Sequence, residues 1–298
     1  MPKLNVLLIV NPAAGRQIAK KALFRIVDAL CRRNCKTTVF STAEKGDAIK
    51  WVAQYARQAD RIICCGGDGT LNEVISGMIQ FNVHVPVGFI PTGTTNDLAH
   101  SLHLPLHINN ALEAAVNGRI HKHDVGMFNK DKYFTYVASF GAFTNVAYTT
   151  PQRYKQALGR LAYLLKGLVS LAAIQPRKAK IIADGAELEG DFIYGSVSNT
   201  SVIGGGVIKF LESDIGYDDG KFEMLLVKKP KRLSDIRGIV KSVSGRRYDS
   251  AVMLYRKVSN LTFTFEKETE WTLDGEYAGK EDTVQITILS SAVSVMKA

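Results

Sequence analysis

Residues 62–73, Ile-Ile-Cys-Cys-Gly-Gly-Asp-Gly-Thr-Leu-Asn-Glu, constrain this chain more than any other stretch. A short apolar run stops at three glycines around one aspartate. Leu71, Val74, Ile75, Met78 and Ile79 then recur at helical spacing. The pattern predicts a buried strand, a tight turn and a helix start, with Thr70 placed to cap the helix. Glycine accepts positive φ and lets a ligand approach the backbone without meeting a β-carbon. The helix N-terminus behind it offers N–H groups and a positive dipole end to an anion such as phosphate. There is no G-x-x-x-x-G-K-[ST] loop, so no lysine reaches phosphates from within this turn. Asp68 stands there instead, a residue suited to magnesium coordination or proton abstraction. Alone, the stretch fits both a bare turn and a phosphate site.

The segments before and after it extend the pattern. Residues 4–10 are nearly all apolar, as in a strand covered on both faces, and run into Asn11-Pro12-Ala13-Ala14-Gly15. A helix follows (Ile18, Ala22, Leu23, Ile26, Val27, Leu30), then a strand at 36–41 and a helix near 48–57. The strand at 61–65 comes next, and a fourth at 87–90 ends at Pro91-Thr92-Gly93-Thr94-Thr95-Asn96-Asp97. Alternating strands and helices imply a mostly parallel sheet, in which ligands bind beyond the carboxyl ends of the strands. Small or glycine-rich turns follow Val10, Cys65 and Ile90. If those strands are neighbours, the three turns line one crevice, and a nucleotide site is expected there.

Beyond about residue 126 the pattern changes. Short β-rich segments at 133–139, 179–183, 192–198, 222–227, 260–266 and 284–289 accompany helical stretches near 156–174 and 233–243. A second, largely antiparallel domain is expected, with Asp124-Val125-Gly126 at the boundary. Two acidic turns stand out in it. Asp214-Ile215-Gly216-Tyr217-Asp218-Asp219-Gly220 reads as a hairpin-like turn or a divalent-ion site. Leu273-Asp274-Gly275-Glu276 reads as a hairpin, or as a glutamate held at a strand end for general-base work.

The 298 residues suffice for about two domains, and no uninterrupted apolar run reaches membrane-spanning length. The first apolar run lacks the length and cleavage site of a signal peptide, so a cytoplasmic protein is expected. Cys31 and Cys35, on an expected helix, and Cys64 and Cys65, at the end of a buried strand, are read as small core residues in a reducing compartment. The six histidines include no H-x-x-x-H on a helix, so no zinc site is expected. The net charge of +10 is uneven: residues 151–183 hold seven Lys or Arg and no acid, and 221–257 hold eleven against Glu223, Asp235 and Asp249. Such runs suit a solvated surface or a face toward lipid, nucleotide phosphates or nucleic acid.

Taken together, these motifs resemble the diacylglycerol-kinase catalytic-domain family of soluble lipid kinases, particularly the bacterial members. The matching pieces are Asn11 to Gly15, Gly66 to Glu73, Gly93 to Asp97, Asp124 to Gly126, Asp218 to Gly220 and Asp274 to Tyr277, in that order along almost the whole chain. The resemblance implies a nucleotide-binding α/β domain over 1–126, a β-sandwich-like lipid-substrate domain over 127–284, and a cleft between them. It also implies that 285–298 fold back onto the first domain. It places ATP on Asn11, Pro12, Ala13, Ala14, Gly15, Thr42, Gly66, Gly67, Asp68, Gly69, Thr70, Leu71, Asn72 and Thr94. It makes Glu276 the catalytic base, with Asp68 able to share that role, and sets Asp68, Asp97 and Asp124 around a catalytic magnesium. It puts a structural magnesium on Asp219 with the carbonyls of Gly216 and Lys221. The chain departs from the family at Leu211-Glu212-Ser213-Asp214, where an Ala-Pro segment is common. It departs again at Arg16, where no lysine is near and arginine stands ready to clamp phosphate.

The implied activity is ATP- and magnesium-dependent phosphorylation of a lipid hydroxyl, with diacylglycerol going to phosphatidic acid. A sphingoid base, ceramide, a long-chain alcohol, or a soluble acceptor such as NAD are the alternatives, and a non-catalytic lipid- or nucleotide-binding protein is a third class. Peripheral contact with a membrane surface is expected; the resemblance also implies a homodimer. Nucleic-acid binding is suggested by charge alone and not by any motif. Residues 157–174 read as a core helix or as one bordering the acyl chain, flanked by Arg160 and Lys166.

Overall fold

β1 (Leu4–Val10) is buried from Val6 onward because it has strands on both sides and helices on both faces. The structure, a computed structural model, describes residues 4–141, 175–203, 208–210, 215–245, 248 and 251–298, without the side chains of Arg16, Val202, Ile208 and Lys209. The expected helix at 156–174 and the segment 211–214 lie outside the described residues. The chain forms two units: Met1–Val125, Tyr217–Asp219 and Leu289–Ala298 make the first, Gly126–Gly216 and Gly220–Ile288 the second.

In the first unit, α1 (Ala14–Arg32), β2 (Cys35–Ser41), α2 (Asp47–Tyr55), β3 (Arg61–Gly66), α3 (Asp68–Gln80) and β4 (Val87–Pro91) alternate. The sheet order β4-β3-β1-β2 is parallel, with Val10 beside Cys65 and Cys65 beside Ile90. One face packs Val6, Leu8, Val10, Ile63, Cys65 and Ile90 against α1 and α5 (Ile108–Asn117); Leu7, Ile9, Ile62 and Cys64 are buried on the other. α4 (Asp97–Ser101) sits between β4 and α5, and β5 (Arg119–Phe128) leads out of the unit. Arg61 Nη1 donates to the Ala115 carbonyl at 2.8 Å, satisfying an acceptor at the end of α5.

The expectation for the cysteines fails in part in this unit. Cys35 is not on a helix with Cys31: α1 ends at Arg32, Asn34 takes φ 58°, and Cys35 opens β2. Asparagine tolerates that left-handed turn, which stops the helix one residue before the strand. All four cysteines are free thiols, and only Cys31 is exposed.

The second unit is antiparallel and β-rich. Its strands are β6 (Lys132–Phe134), β7 (Val137–Gly141), β8 (Arg177–Ala183), β9 (Ala186–Ser198), β10 (Val202–Ile203), β11 (Ile208–Lys209), β12 (Phe222–Lys228), β13 (Met253–Val258), β14 (Asn260–Leu273) and the first part of β15 (Glu276–Lys297). A helix, α6 (Leu233–Gly245), joins β12 to β13. β9 and β14 are long enough to pair with β8 along one half and with β7 along the other. Trp271, Phe140, Phe263, Phe265 and Phe128 form the aromatic centre of the enclosed core.

Two strands run far beyond their apolar cores. β14 and β15 continue past them: Lys280 and Glu281 pair with Glu270 and Thr269, with a Lys280–Glu270 contact of 3.2 Å, while Glu266-Lys267-Glu268 lie in a shift of register between Thr264 and Thr269. β15 ends in the first unit, where Val295 pairs in parallel with Val87. Among the described residues no helix is long and apolar enough to cross a membrane.

Candidate active site

β1, β3 and β4 are adjacent, so the turns after Val10, Cys65 and Ile90 lie side by side at one edge of the first unit. They pack backbone against backbone. Gly15 has φ +36°, and a β-carbon there would lie 2.3 Å from the Thr92 carbonyl oxygen. A β-carbon on Gly93 would lie 2.6 Å from the Gly67 Cα and 2.8 Å from Asn96 Oδ1. Only glycine lets all three turns close to this spacing.

Side chains then lock the turns. Asn11 Oδ1 accepts from the Ala13 N–H at 3.0 Å, and its Nδ2 donates to Thr70 Oγ1 at 3.0 Å. Its own N–H donates to the Cys65 carbonyl at 2.9 Å, and its carbonyl accepts from Ala14 N–H at 3.2 Å. One residue thus fixes the Pro12–Ala13–Ala14 turn against β3 and α3. The Thr92 N–H donates to the Gly66 carbonyl at 2.8 Å. Asn96, at φ 51°, accepts the Gly93 N–H at 2.9 Å on Oδ1 and returns a bond to the Gly93 carbonyl from Nδ2.

α3 begins at Asp68 with Gly67 extended at its cap, and no side chain caps it. Thr70 is not the cap expected from sequence: it lies inside the first turn, buried, with its hydroxyl accepting from Asn11. The helix simply starts three residues earlier than the apolar periodicity implied. An uncapped N-terminus among glycine turns is suited to bind an anion. Gly69 lies in its first turn. Leu71 belongs to the core, and its N–H donates to the Gly67 carbonyl at 3.1 Å. Asn72 Oδ1 lies 3.3 Å from Ser76 Oγ, and Thr94 is exposed at the tip of its turn.

Asp68 is half-buried and pointed at the third turn. Its Oδ2 accepts from Thr95 Oγ1 and its Oδ1 from the Leu98 N–H, both at 3.2 Å. Each oxygen keeps a lone pair for a metal or a proton. Asp97 opens α4 between Thr95 and Leu98, the two residues that Asp68 bonds. Asp124 is fully buried; its Oδ1 accepts from Ser291 N–H at 2.6 Å while its N–H donates to Tyr217 carbonyl at 2.8 Å. Tyr217 in turn donates its hydroxyl to the Ser101 carbonyl at 2.7 Å. Among the described residues no three His, Cys, Asp or Glu side chains are grouped to hold a metal, so Asp68, Asp97 and Asp124 form no ready-made cage. Magnesium commonly takes one or two carboxylates with water and phosphate oxygens, so a donor set of this kind fits an ion brought by a nucleotide.

At the fourth turn the Thr42 N–H donates to the Val10 carbonyl at 2.9 Å. Asp47, which the sequence reading passed over, fixes this turn: its Oδ2 accepts from the N–H groups of Ala43 (2.8 Å) and Glu44 (3.0 Å), and Oδ1 accepts from Lys50 at 3.1 Å. Those two backbone bonds, helped by Lys50, pull its pKa down to about 2. Glu73 adds a bond from the Gly46 N–H at 3.0 Å, where Gly46 has φ +89°. An acid directly after a glycine at a helix start was the available signal. Beneath the turns, burial raises the Cys64 thiol pKa well above its ordinary value and that of Cys65 to about 12, so neither is a nucleophile.

In the second unit Asp274 and Gly275 make a two-residue hairpin with φ 49° and 82°, the geometry that Asp-Gly favours. Asp274 also has a role the sequence did not disclose. Its Oδ2 accepts from the Thr135 N–H (2.7 Å) and hydroxyl (2.8 Å), and its Oδ1 from the N–H groups of Tyr136 and Val137 (both 3.0 Å). These bonds hold the break between β6 and β7. Burial raises its pKa against the downward pull of the four donors. Glu276, two residues on, is exposed at the start of β15. Gly216, Asp219 and Lys221 lie in the turn before β12, with Asp219 and Lys221 exposed.

Comparison with known proteins agrees with this architecture. The diacylglycerol kinase catalytic domain model matches residues 5–128, and the YegS C-terminal NAD kinase beta sandwich-like domain model matches 137–297. A diacylglycerol kinase of Bacillus subtilis (strain 168) is 33% identical over 274 residues, covering 91% of this chain and 89% of the relative. One from Staphylococcus haemolyticus (strain JCSC1435) is 32% identical, covering 92% and 82%. The crystal structure of a candidate diacylglycerol kinase from Bacillus anthracis str. Sterne superposes with a TM-score of 0.81 at 26% identity, covering 100% of this chain and 97% of the other. The chain therefore belongs to the diacylglycerol kinase family of lipid kinases, with the α/β catalytic domain first and the β-sandwich-like domain second.

Proposed function

We propose that the protein transfers the γ-phosphoryl group of ATP, bound as its magnesium complex, to the hydroxyl of diacylglycerol, giving phosphatidic acid and ADP. The donor half of this reading rests on the stacked turns at Gly15, Gly67 and Gly93 beside the uncapped start of α3. The acceptor half rests on the names of the relatives. Asn11 to Gly15, Thr42, Gly66 to Asn72 and Thr94 would surround the nucleotide. Magnesium, carried by the phosphates and held by Asp68 with Asp97, would neutralise charge on the transferring group. Glu276 takes the hydroxyl proton as the oxygen–phosphorus bond forms and the bond to ADP breaks. Asp68 and the glycine-turn amides do the rest by positioning and charge neutralisation. A second magnesium on Asp219 and the Gly216 and Lys221 carbonyls would use the oxygen ligands that such a hard cation prefers.

The test is transfer of label from γ-labelled ATP, with magnesium, into mixed micelles that each present one acceptor: diacylglycerol, monoacylglycerol, ceramide or sphingosine, with NAD as a soluble control. Label in diacylglycerol alone is the expected result. Label in another lipid replaces the acceptor and leaves the donor site standing; label in NAD overturns the lipid reading. Omitting magnesium, or replacing ATP with other nucleoside triphosphates, tests the donor separately.

A further inference from the structure

We propose that the segment from the end of β12 through α6, residues 228–241, is a membrane-docking element that binds anionic phospholipid headgroups and inserts Leu233. The inference builds on the lipid-kinase reading and names the surface by which the enzyme reaches its acceptor.

The sequence here is Lys-Lys-Pro-Lys-Arg-Leu-Ser-Asp-Ile-Arg-Gly-Ile-Val-Lys, six cations and one acid. Lys228, Lys231, Arg232, Arg237 and Lys241 are exposed, and no ion pair to any of them is found among the described residues. The single acid is turned back onto the backbone. Asp235 Oδ2 accepts from the N–H groups of Lys231 at 2.8 Å and Arg232 at 3.0 Å, capping the start of α6. The backbone is anchored at its other end, where the N–H of Lys228 donates to the Val252 carbonyl and that of Lys229 to the Asp191 carbonyl. The cations therefore project from a fixed scaffold.

α6 is amphipathic in a specific way. Ile239 and Ser242 are buried, while Leu233, Arg237 and Lys241 follow each other at intervals of four on the exposed side. Leu233 is 76% exposed at the head of that cationic stripe, next to Arg232. A face built only for nucleic-acid phosphates has no use for an exposed leucine there. A bilayer interface accepts both parts, lysine and arginine at the headgroups and leucine below them.

Sedimentation with phosphatidylcholine vesicles containing one-third phosphatidylglycerol tests this, with pure phosphatidylcholine as the control. Wild-type protein should bind the anionic vesicles, less so as salt rises. The variant Lys231→Gln, Arg232→Gln, Arg237→Gln, Lys241→Gln should bind them roughly 600-fold more weakly, at about five-fold per charge. Leu233→Ser should lose about ten-fold at both low and high salt, as expected for burying one leucine. Both variants should keep wild-type turnover of short-chain diacylglycerol in detergent micelles. Vesicle binding by either variant equal to wild type overturns the proposal. So does an unaffected Leu233→Ser protein together with a quadruple variant that loses affinity for duplex DNA and none for vesicles. A wild-type protein that docks through these residues yet phosphorylates no lipid leaves the docking surface standing and removes the lipid-kinase reading. One that phosphorylates lipid while the variants dock normally does the reverse.

Discussion

The turns at Asp68 and Asp274 look alike in sequence, each an aspartate followed by glycine at the end of an apolar strand, and they do opposite jobs. Asp68 is half-buried, spends each oxygen on one hydrogen bond, and retains a face for chemistry. Asp274 is buried and spends its carboxylate on four donors from the β6–β7 break. In the first turn the acid itself is the candidate reagent. In the second the acid is the scaffold, and the candidate reagent is Glu276, exposed two residues later. The same dipeptide is read correctly only once its lone pairs are accounted for.

Replacing both aspartates would separate the roles most sharply. Asp274→Ala should strand three buried N–H groups and a hydroxyl at a cost on the order of 3–5 kcal/mol, read as a large drop in the denaturant midpoint. Asp68→Asn should keep its melting temperature near wild type while turnover falls ~10²-fold. Equal destabilisation by the two would erase the distinction. Glu276→Gln should behave as Asp68→Asn does, folded and ~10²-fold slower; full activity would take Glu276 out of the mechanism. Next in size, Gly93→Ala should raise the KM for ATP by roughly ten-fold, since its new methyl group must push the Gly67 backbone and the Asn96 side chain aside. Unchanged KM would show that the three turns tolerate separation.

The smallest effect is expected at Asp47. Its pKa is depressed to about 2, so the stability it contributes is fully present above the ordinary carboxylate value near 4 and is lost as pH falls toward 2. Asp47→Asn should lower the melting temperature by a few degrees at neutral pH and flatten that part of the acid limb. An acid limb identical to wild type would mean that the Ala43 and Glu44 bonds add nothing.

The first unit was largely legible because β1, β3 and β4 are buried on both faces and each ends at a small-residue turn. The convergence of the turns after Val10, Cys65 and Ile90 needed only the strands to be neighbours, which they are. The second unit was harder. β14 and β15 were read as short because Glu266-Lys267-Glu268 and Lys280-Glu281-Asp282 interrupt the apolar alternation, while the ladder shifts register there and resumes from Thr269 opposite Glu281. Thr70 was misplaced as a cap because periodicity marks where a helix starts to be buried and not where it starts. Asp47 and the bonding role of Asp274 escaped notice because their partners are mostly backbone N–H groups, which no residue identity announces.

β15 carries a consequence for how the molecule is made. Its last residues complete the sheet whose other strands are the first to be synthesised, with Val295 beside Val87. On the ribosome the α/β half must wait, its β4 edge unpaired, until the whole of the other half has emerged. Closure of so long a loop is slow, and an open strand edge invites association with other chains meanwhile. Removing residues 289–298 should therefore reduce soluble yield during expression far more than their number suggests, although they lie far in sequence from every glycine turn.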